Sequence, residues 1–195
     1  LIGAFTLGVC LFAVLFALSC YGRSGTKDTL DSFMTRCRKR VVVALGGLRD
    51  QATLDYLATV ADVNAGDNRG AAEHLRAKVP VGRTVFVWGF EPVIYDLADR
   101  RPASRFLYNV PQRVPWAKAG MREILLRDLA AHPPAAVVVE HRDVIPMVTG
   151  DGIDSADTLY DFWDFYVFLQ RYRLDKTIGQ LDVYLEKEPV TAASP

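Results

Sequence analysis

Two short polar runs hold the residue types from which a ligand contact could be built. One is Gly89-Phe90-Glu91 and the other is Glu140-His141-Arg142-Asp143. A carboxylate, an imidazole and a guanidinium brought together could hold a phosphate or sugar group, with Glu91, His141 and Arg142 as its contacts. The alternative reading of the same residues is ordinary polar loops. Arg100, Arg101 and Arg105 bracket Pro102; they offer a phosphate headgroup a cationic face or form a solvated basic turn, and Arg105 joins the candidate ligand contacts. Asp151, Asp154, Asp157 and Asp161 loosely suggest a calcium loop, but the EF-hand interval and its closing Glu are absent. Turns and helix caps account for them, so a bound metal is not expected. His74, His132 and His141 are scattered. Glycine-rich nucleotide loops, the nucleophile elbow and paired zinc cysteines are all missing. No catalytic residue and no cofactor are therefore assigned to this chain.

Ligand contacts at loop ends need strands to hold them. Thr84-Val85-Phe86-Val87-Trp88 and Ala135-Ala136-Val137-Val138-Val139 are short continuous apolar runs, the pattern of strands buried on both faces. Residues 104–108 read as a further strand, and LDVYLE at 181–186 as the last. Between them lie a helix capped by Asp67 or Asn68 and running to about Lys78, one opened by Pro92, and one over 122–131 that Pro133-Pro134 stops. Thr158-x-x-Asp161 reads as a capping box for a helix over 159–171. That helix has two aromatic stripes, one with Phe162, Trp163 and Tyr166, the other with Phe165, Phe168 and Tyr172. One stripe must pack on the sheet; the other faces a membrane interface, a further domain or a broad core. Strands alternating with helices predict an α/β fold, a small Rossmann-like, mainly parallel sheet with flanking helices. In such sheets ligands bind beyond the carboxyl ends of the strands, where both polar runs fall.

The 195 residues carry 23 basic and 23 acidic side chains, so no net field draws the chain to nucleic acid. Three cysteines exclude a disulfide-dense scaffold. Mean hydropathy of +0.09 is high for a chain with 24% charged residues, because the apolar residues are concentrated at one end. Residues 1–21 (LIGAFTLGVCLFAVLFALSCY) contain no charge and no proline. As a helix they would span roughly 31 Å, close to the hydrocarbon thickness of a bilayer. The expected organisation is a transmembrane helix over 1–22, a basic juxtamembrane segment over 23–66, an α/β domain over 67–188 and a tail over 189–195. A buried soluble helix, a cleaved signal, or a lipoprotein site at Ala17-Leu18-Ser19-Cys20 are the alternatives for the first segment. The chain opens on Leu1 rather than Met, and the expectation is the tail of a longer protein. Arg23, Lys27, Arg36, Arg38, Lys39, Arg40 and Arg49 then meet anionic headgroups or form a plain solvated linker. By the positive-inside tendency they favour a cytoplasmic domain.

Val85 to Pro111 reads VFVWGFEPVIYDLADRRPASRFLYNVP, followed by REILLRDLAAHPPAAVVVEH and DFWDFYVFLQRYR. These words, with W-G-x-x-P-x-I-Y and R-x-P-x-S-R as their distinctive part, resemble the C-terminal extracytoplasmic domain of bacterial polytopic GT-C glycosyltransferases. Those enzymes are relatives of the protein O-mannosyltransferases and the lipid A aminoarabinose transferases. The resemblance implies a sugar carried on polyprenyl phosphate and transferred to an envelope lipid, glycan or protein. It also implies a bacterial inner-membrane location with the soluble domain outside, against the vote of the basic cluster. The family's catalytic Asp lies in a membrane-domain loop that this sequence does not contain, so the resemblance transfers no catalytic residue. The expected partners are the lipid bilayer, an upstream transmembrane domain, the polyprenyl-phosphate sugar and its acceptor. The rival expectation is a single-span or lipid-anchored envelope binding module without enzymatic activity.

Overall fold

The computed structural model describes residues 27–47, 49–59 and 63–187, with side chains from residue 34 onward. The expected transmembrane helix over 1–22 and the tail over 189–195 lie outside the described residues. Among the described residues, no helix is long and apolar enough to cross a membrane. The chain divides into two compact units, one ending at Ala58 and the other beginning at Thr59.

The described residues of the first unit are mostly helical, where a solvated linker was one expectation. Helix α1 covers Lys27–Ala44 and α2 covers Gln51–Ala58. Asp50 caps α2: its carboxylate accepts the Thr53 amide at 2.9 Å and the Thr53 hydroxyl at 2.8 Å. Those bonds hold the Asp50 carboxyl below its ordinary range. Two cations of α1, Arg36 and Lys39, sit 5.0 and 4.8 Å from the centre of the Tyr56 ring.

The second unit is a three-layer α/β domain. Its elements are α3 (Ala65–Lys78), β1 (Val85–Trp88), α4 (Val93–Ala98), α5 (Val110–Arg113), α6 (Lys118–Ala131), β2 (Ala136–Glu140), α7 (Pro146–Thr149), a 3-10 turn (Asp157–Tyr160), α8 (Trp163–Leu169), β3 (Tyr172–Ile178) and β4 (Leu181–Glu186). The strands are ordered β1-β2-β4-β3. Strand alternation divides the core in two. Val85, Val87, Ala136, Val138, Leu181 and Val183 face Leu75 of α3 and Ile94 of α4. Phe86, Trp88, Val137 and Val139 face Leu125 and Leu129 of α6 and Phe165 of α8.

The sheet corrects the expectation of mainly parallel pairing. Only β1 and β2 run parallel; β2 with β4 and β4 with β3 are antiparallel. Two local events cause the difference. Residues 104–108 form no strand: the backbone at Pro102 bridges the outer edge of β1, with Val85 donating to Arg101 O at 3.0 Å and Ala103 to Val85 O at 2.9 Å. This short bridge, together with the Tyr95 hydroxyl accepting the Val87 amide at 2.8 Å, occupies an edge that would otherwise be open. At the other edge, Tyr172–Ile178 is a strand that starts just past the expected helix end at 171, because Gly179 closes a hairpin. Its φ is +57°, and a Cβ there would meet the Asp67 carboxylate, which also accepts the Gln180 amide at 3.3 Å.

The expected helix over 159–171 is interrupted. Thr158 donates to Ser155 O at 2.6 Å instead of capping. Arg122 holds Asp161 outside the helix, donating to its carbonyl at 2.7 Å and its carboxylate at 2.8 Å. Helix α8 therefore begins two residues later. Its Phe165 stacks on Trp88 at 4.8 Å and meets Phe86 edge-on at 5.8 Å. The cap of α3 is also one turn earlier than expected. Asn64 accepts the Gly66 and Asp67 amides at 3.1 and 3.2 Å.

Candidate functional site

The carboxyl ends of β1 and β2 converge on a buried polar network. Beyond Trp88 the chain turns at Gly89, where a Cβ would stand 2.3 Å from Glu140 Oε2. Only glycine lets the last residue of β2 lie flat against this turn, and Glu140 then accepts the Phe90 amide at 2.6 Å. Glu91 follows and is 3% exposed. Its carboxylate accepts from the Asn68 amide group at 2.6 Å. Burial pushes the Glu91 carboxyl above its ordinary range, and the charge of Asp143 adds to the push.

Asp143 is the centre of the network. Its carboxylate accepts the Ser155 amide at 2.6 Å and the Ser155 hydroxyl. Arg113 reaches the same carboxylate at 3.5 Å, the Ser155 hydroxyl at 3.1 Å and the Ile153 carbonyl at 2.5 Å. Both Arg113 and Asp143 are buried. Desolvation nevertheless wins over these partners and holds the Asp143 carboxyl above its ordinary range. Trp88 joins through its indole N–H, which donates to Ser155 O at 2.8 Å, and Asn109 donates to the Ser155 hydroxyl at 2.6 Å. The end of β1, the loop after β2 and the residues of and beside α5 are thus tied at one serine before the 3-10 turn. Three buried atoms make no hydrogen bond among the described residues: Asn109 Oδ1, Gln112 Oε1 and Arg113 Nε. All three lie in or next to α5, the least satisfied corner of the network.

The four predicted ligand contacts do not come together. Glu91 lies inside, closed off by Asn68. Arg105 belongs to another part of the surface: its Nε and Nη2 donate to the two oxygens of Asp128, each at 3.0 Å, and Ser104 donates to the same carboxylate at 3.0 Å. This fork holds the Asp128 carboxyl below its ordinary range. His141 is half-exposed and pairs through Nε2 with Asp182 at 2.9 Å. Arg142 is exposed with φ of +65°, its amide donating to Asp154 at 2.8 Å. It marks a pinned left-handed turn and has no convergence with Glu91.

The basic turn is also divided. Arg100 is buried, and its guanidinium donates to the carbonyls of Arg76, Val79, Ala98 and Asp99, closing the C-terminal end of α3. Asp154 accepts the Asp157 amide at 2.8 Å, and Asp161 is held by Arg122 and Lys118, so these carboxylates act as turn and ion-pair groups. Among the described residues, no three His, Cys, Asp or Glu side chains are placed to hold a metal ion.

Sequence reasoning missed Asn109, Arg113 and Ser155, whose roles appear only once three loops meet. It also missed that Asp182 and Tyr184 share one face of β4, although the alternation Leu181, Val183 against Asp182, Tyr184 was readable.

No family model matches this sequence, and no curated protein matches it. A solved structure, the C-terminal globular domain of an oligosaccharyltransferase from Archaeoglobus fulgidus, is similar to 62% of this chain and 97% of that chain, at 12% sequence identity and a TM-score of 0.39.

Proposed function

We propose that this chain is the terminal part of an integral-membrane glycosyltransferase, and that its α/β domain is an accessory rather than a catalytic domain. The enzyme transfers a sugar from a polyprenyl-phosphate donor to an envelope lipid, glycan or protein, with this domain outside the cytoplasm. One observation carries the accessory role. Every polar side chain at a fixed position of the two distinctive motifs is engaged in holding the fold: Trp88 on Ser155, Tyr95 on the β1 edge, Arg100 on the end of α3, and Ser104 with Arg105 on Asp128. Side chains engaged in this way hold the domain together, which supports a positioning role for it.

The reading is tested with membranes from cells carrying the intact gene and from cells in which it is disrupted, each given radiolabelled polyprenyl-phosphate sugars. Label should enter an envelope lipid, glycan or protein only with the intact gene. Equal labelling in both sets contradicts the proposal. A phosphatase fused after Pro195 should be active outside the cytoplasm; activity of a cytoplasm-specific reporter at the same point overturns the placement.

A further inference from the structure

A separate cleft of about 350 Å³ opens where β2 and β4 meet the 3-10 turn and α8. Its floor is apolar, from Val139 and Leu159, and its walls carry Tyr160, Tyr166 and Tyr184. His141, Asp157 and Gln170 stand among the tyrosines. We infer that this cleft binds an uncharged, polyhydroxylated ring, a single sugar unit being the ligand that fits its chemistry.

Three features of the lining lead there. Tyrosine rings offer flat, electron-rich faces to polarised C–H groups, and each carries a hydroxyl at its edge. A sugar ring has both complements, an apolar C–H face and a rim of hydroxyls. The polar groups are also numerous for so small a cavity: Asp157 and Gln170 accept or donate, and a flat hydrocarbon ring would leave them unmatched. Lastly, the lining contains no lysine or arginine and does contain Asp157. A phosphate or other anion would meet a negative group with no cation to balance it.

The cleft is pre-shaped at one end. Asp182 fixes the His141 ring through Nε2 at 2.9 Å, while Asp182 itself accepts the Thr177 hydroxyl at 2.6 Å. Nε2 is taken up by that carboxylate, which leaves Nδ1 as the ring nitrogen open to a ligand hydroxyl. Tyr166 is braced from behind by Trp163, their rings stacked at 5.3 Å. The hydroxyls of Tyr160, Tyr166 and Tyr184 make no hydrogen bond among the described residues, and Tyr160 is 82% exposed at the rim. This inference does not rest on the glycosyltransferase reading. A sugar-binding cleft suits a non-catalytic module equally, so either can fail alone.

The test uses the whole 195-residue chain in a detergent without a sugar headgroup. Glucose, mannose, galactose and N-acetylglucosamine are presented at millimolar concentration, with phenol and inorganic pyrophosphate as competing chemistries, and ligand contact is read by saturation-transfer NMR. At least one sugar should receive saturation on its ring C–H protons. Tyr160→Ala, at an exposed position, should weaken that binding by about tenfold, and Trp116→Ala, equally exposed but outside the lining, should leave it unchanged. Saturation of no sugar overturns the inference. So does an undiminished signal in Tyr160→Ala, or a preference for phenol or pyrophosphate over every sugar.

Discussion

The two polar regions at the edge of the sheet are built on opposite plans. In the strand-end network, charged groups are buried and face one another: Glu91 against Asn68, Asp143 against Ser155 and Arg113. In the cleft beside it, phenols, an imidazole, an amide and the Asp157 carboxylate face solvent over an apolar floor. A charge taken out of water is tolerated only when its partners are fixed, and here those partners come from the fold. Polar groups at exposed and half-exposed positions keep bonding capacity for a ligand. Glu91 and Arg105, two of the charged residues that first suggest chemistry in this sequence, are engaged by the fold, and the less conspicuous tyrosines line the open cleft.

Breaking the closed region should produce the largest effect. Arg113→Met strands the Asp143 carboxylate inside the domain, and a buried charge without its partner costs about 3–5 kcal/mol. Denaturant unfolding of the variant should show that loss, and a loss below about 1 kcal/mol would mean that Arg113 is not needed there. A smaller contrast lies at Asp128. It accepts from Ser104 and three times from Arg105, once from the backbone amide, so Asp128→Ala should cost about 2 kcal/mol. Arg105→Ala removes a guanidinium that is largely in solvent and should cost about 1 kcal/mol or less. Equal losses for the two variants would make Arg105, and not the turn that Asp128 fastens, the stabilising partner.

The pH dependence sharpens the same comparison. Glu91 binds its proton more tightly in the folded protein than in the unfolded one, whose carboxyl lies near 4.5. Its favourable contribution is complete below that value and is lost as pH rises through the folded value. Glu91→Gln keeps an acceptor for Asn68 but cannot titrate. Between pH 7 and pH 4.5 the wild-type protein should therefore gain stability relative to the variant, and a constant difference between the two would refute the buried-charge account. Asp128 and Asp161 act with the opposite sign, because their cations hold them below the ordinary range. Their contribution is lost in acid, as pH falls below about 3.8 through the folded values.

Smallest of all should be the change in stability at the open region. Tyr160→Ala removes a ring that touches solvent on most of its surface, and its unfolding free energy should stay within about 0.5 kcal/mol of wild type. A larger loss, measured by the same denaturation, would place Tyr160 in the core instead of at the rim of a cleft.

How far the fold was legible follows from what each signal depends on. β1, β2 and β4 announce themselves because continuous apolar runs and strict alternation are local properties. α4 and α6 were legible through Pro92 and the Pro133-Pro134 stop. β3 was hidden because it is an edge strand: Arg173 and Lys176 are exposed, so no apolar period marks it, and Gly179 was its one clue. The break before α8 depends on Arg122, about forty residues away in sequence, reaching the Asp161 carbonyl. No window of neighbouring residues contains that. The aromatic stripes were read correctly as needing a place, and the structure provides one for most of them: Phe162, Phe165 and Phe168 are core, while Trp163 stays 65% exposed. The site fared worse than the fold. Glu91, His141 and Arg142 do lie at strand ends, as the sheet rule predicts, but adjacency in a loop says nothing of direction, and they face three different surroundings.

Native-state hydrogen exchange tests the closed character of the strand-end network most directly. The Phe90 amide donates to Glu140 and the Ser155 amide to Asp143, each at 2.6 Å. If those carboxylates serve the fold, both amides should exchange only through global unfolding, with the same denaturant dependence as Val138 in β2. Exchange of Phe90 and Ser155 through a local, denaturant-independent opening, while Val138 remains protected, would show loops that part to admit a ligand and would contradict the account.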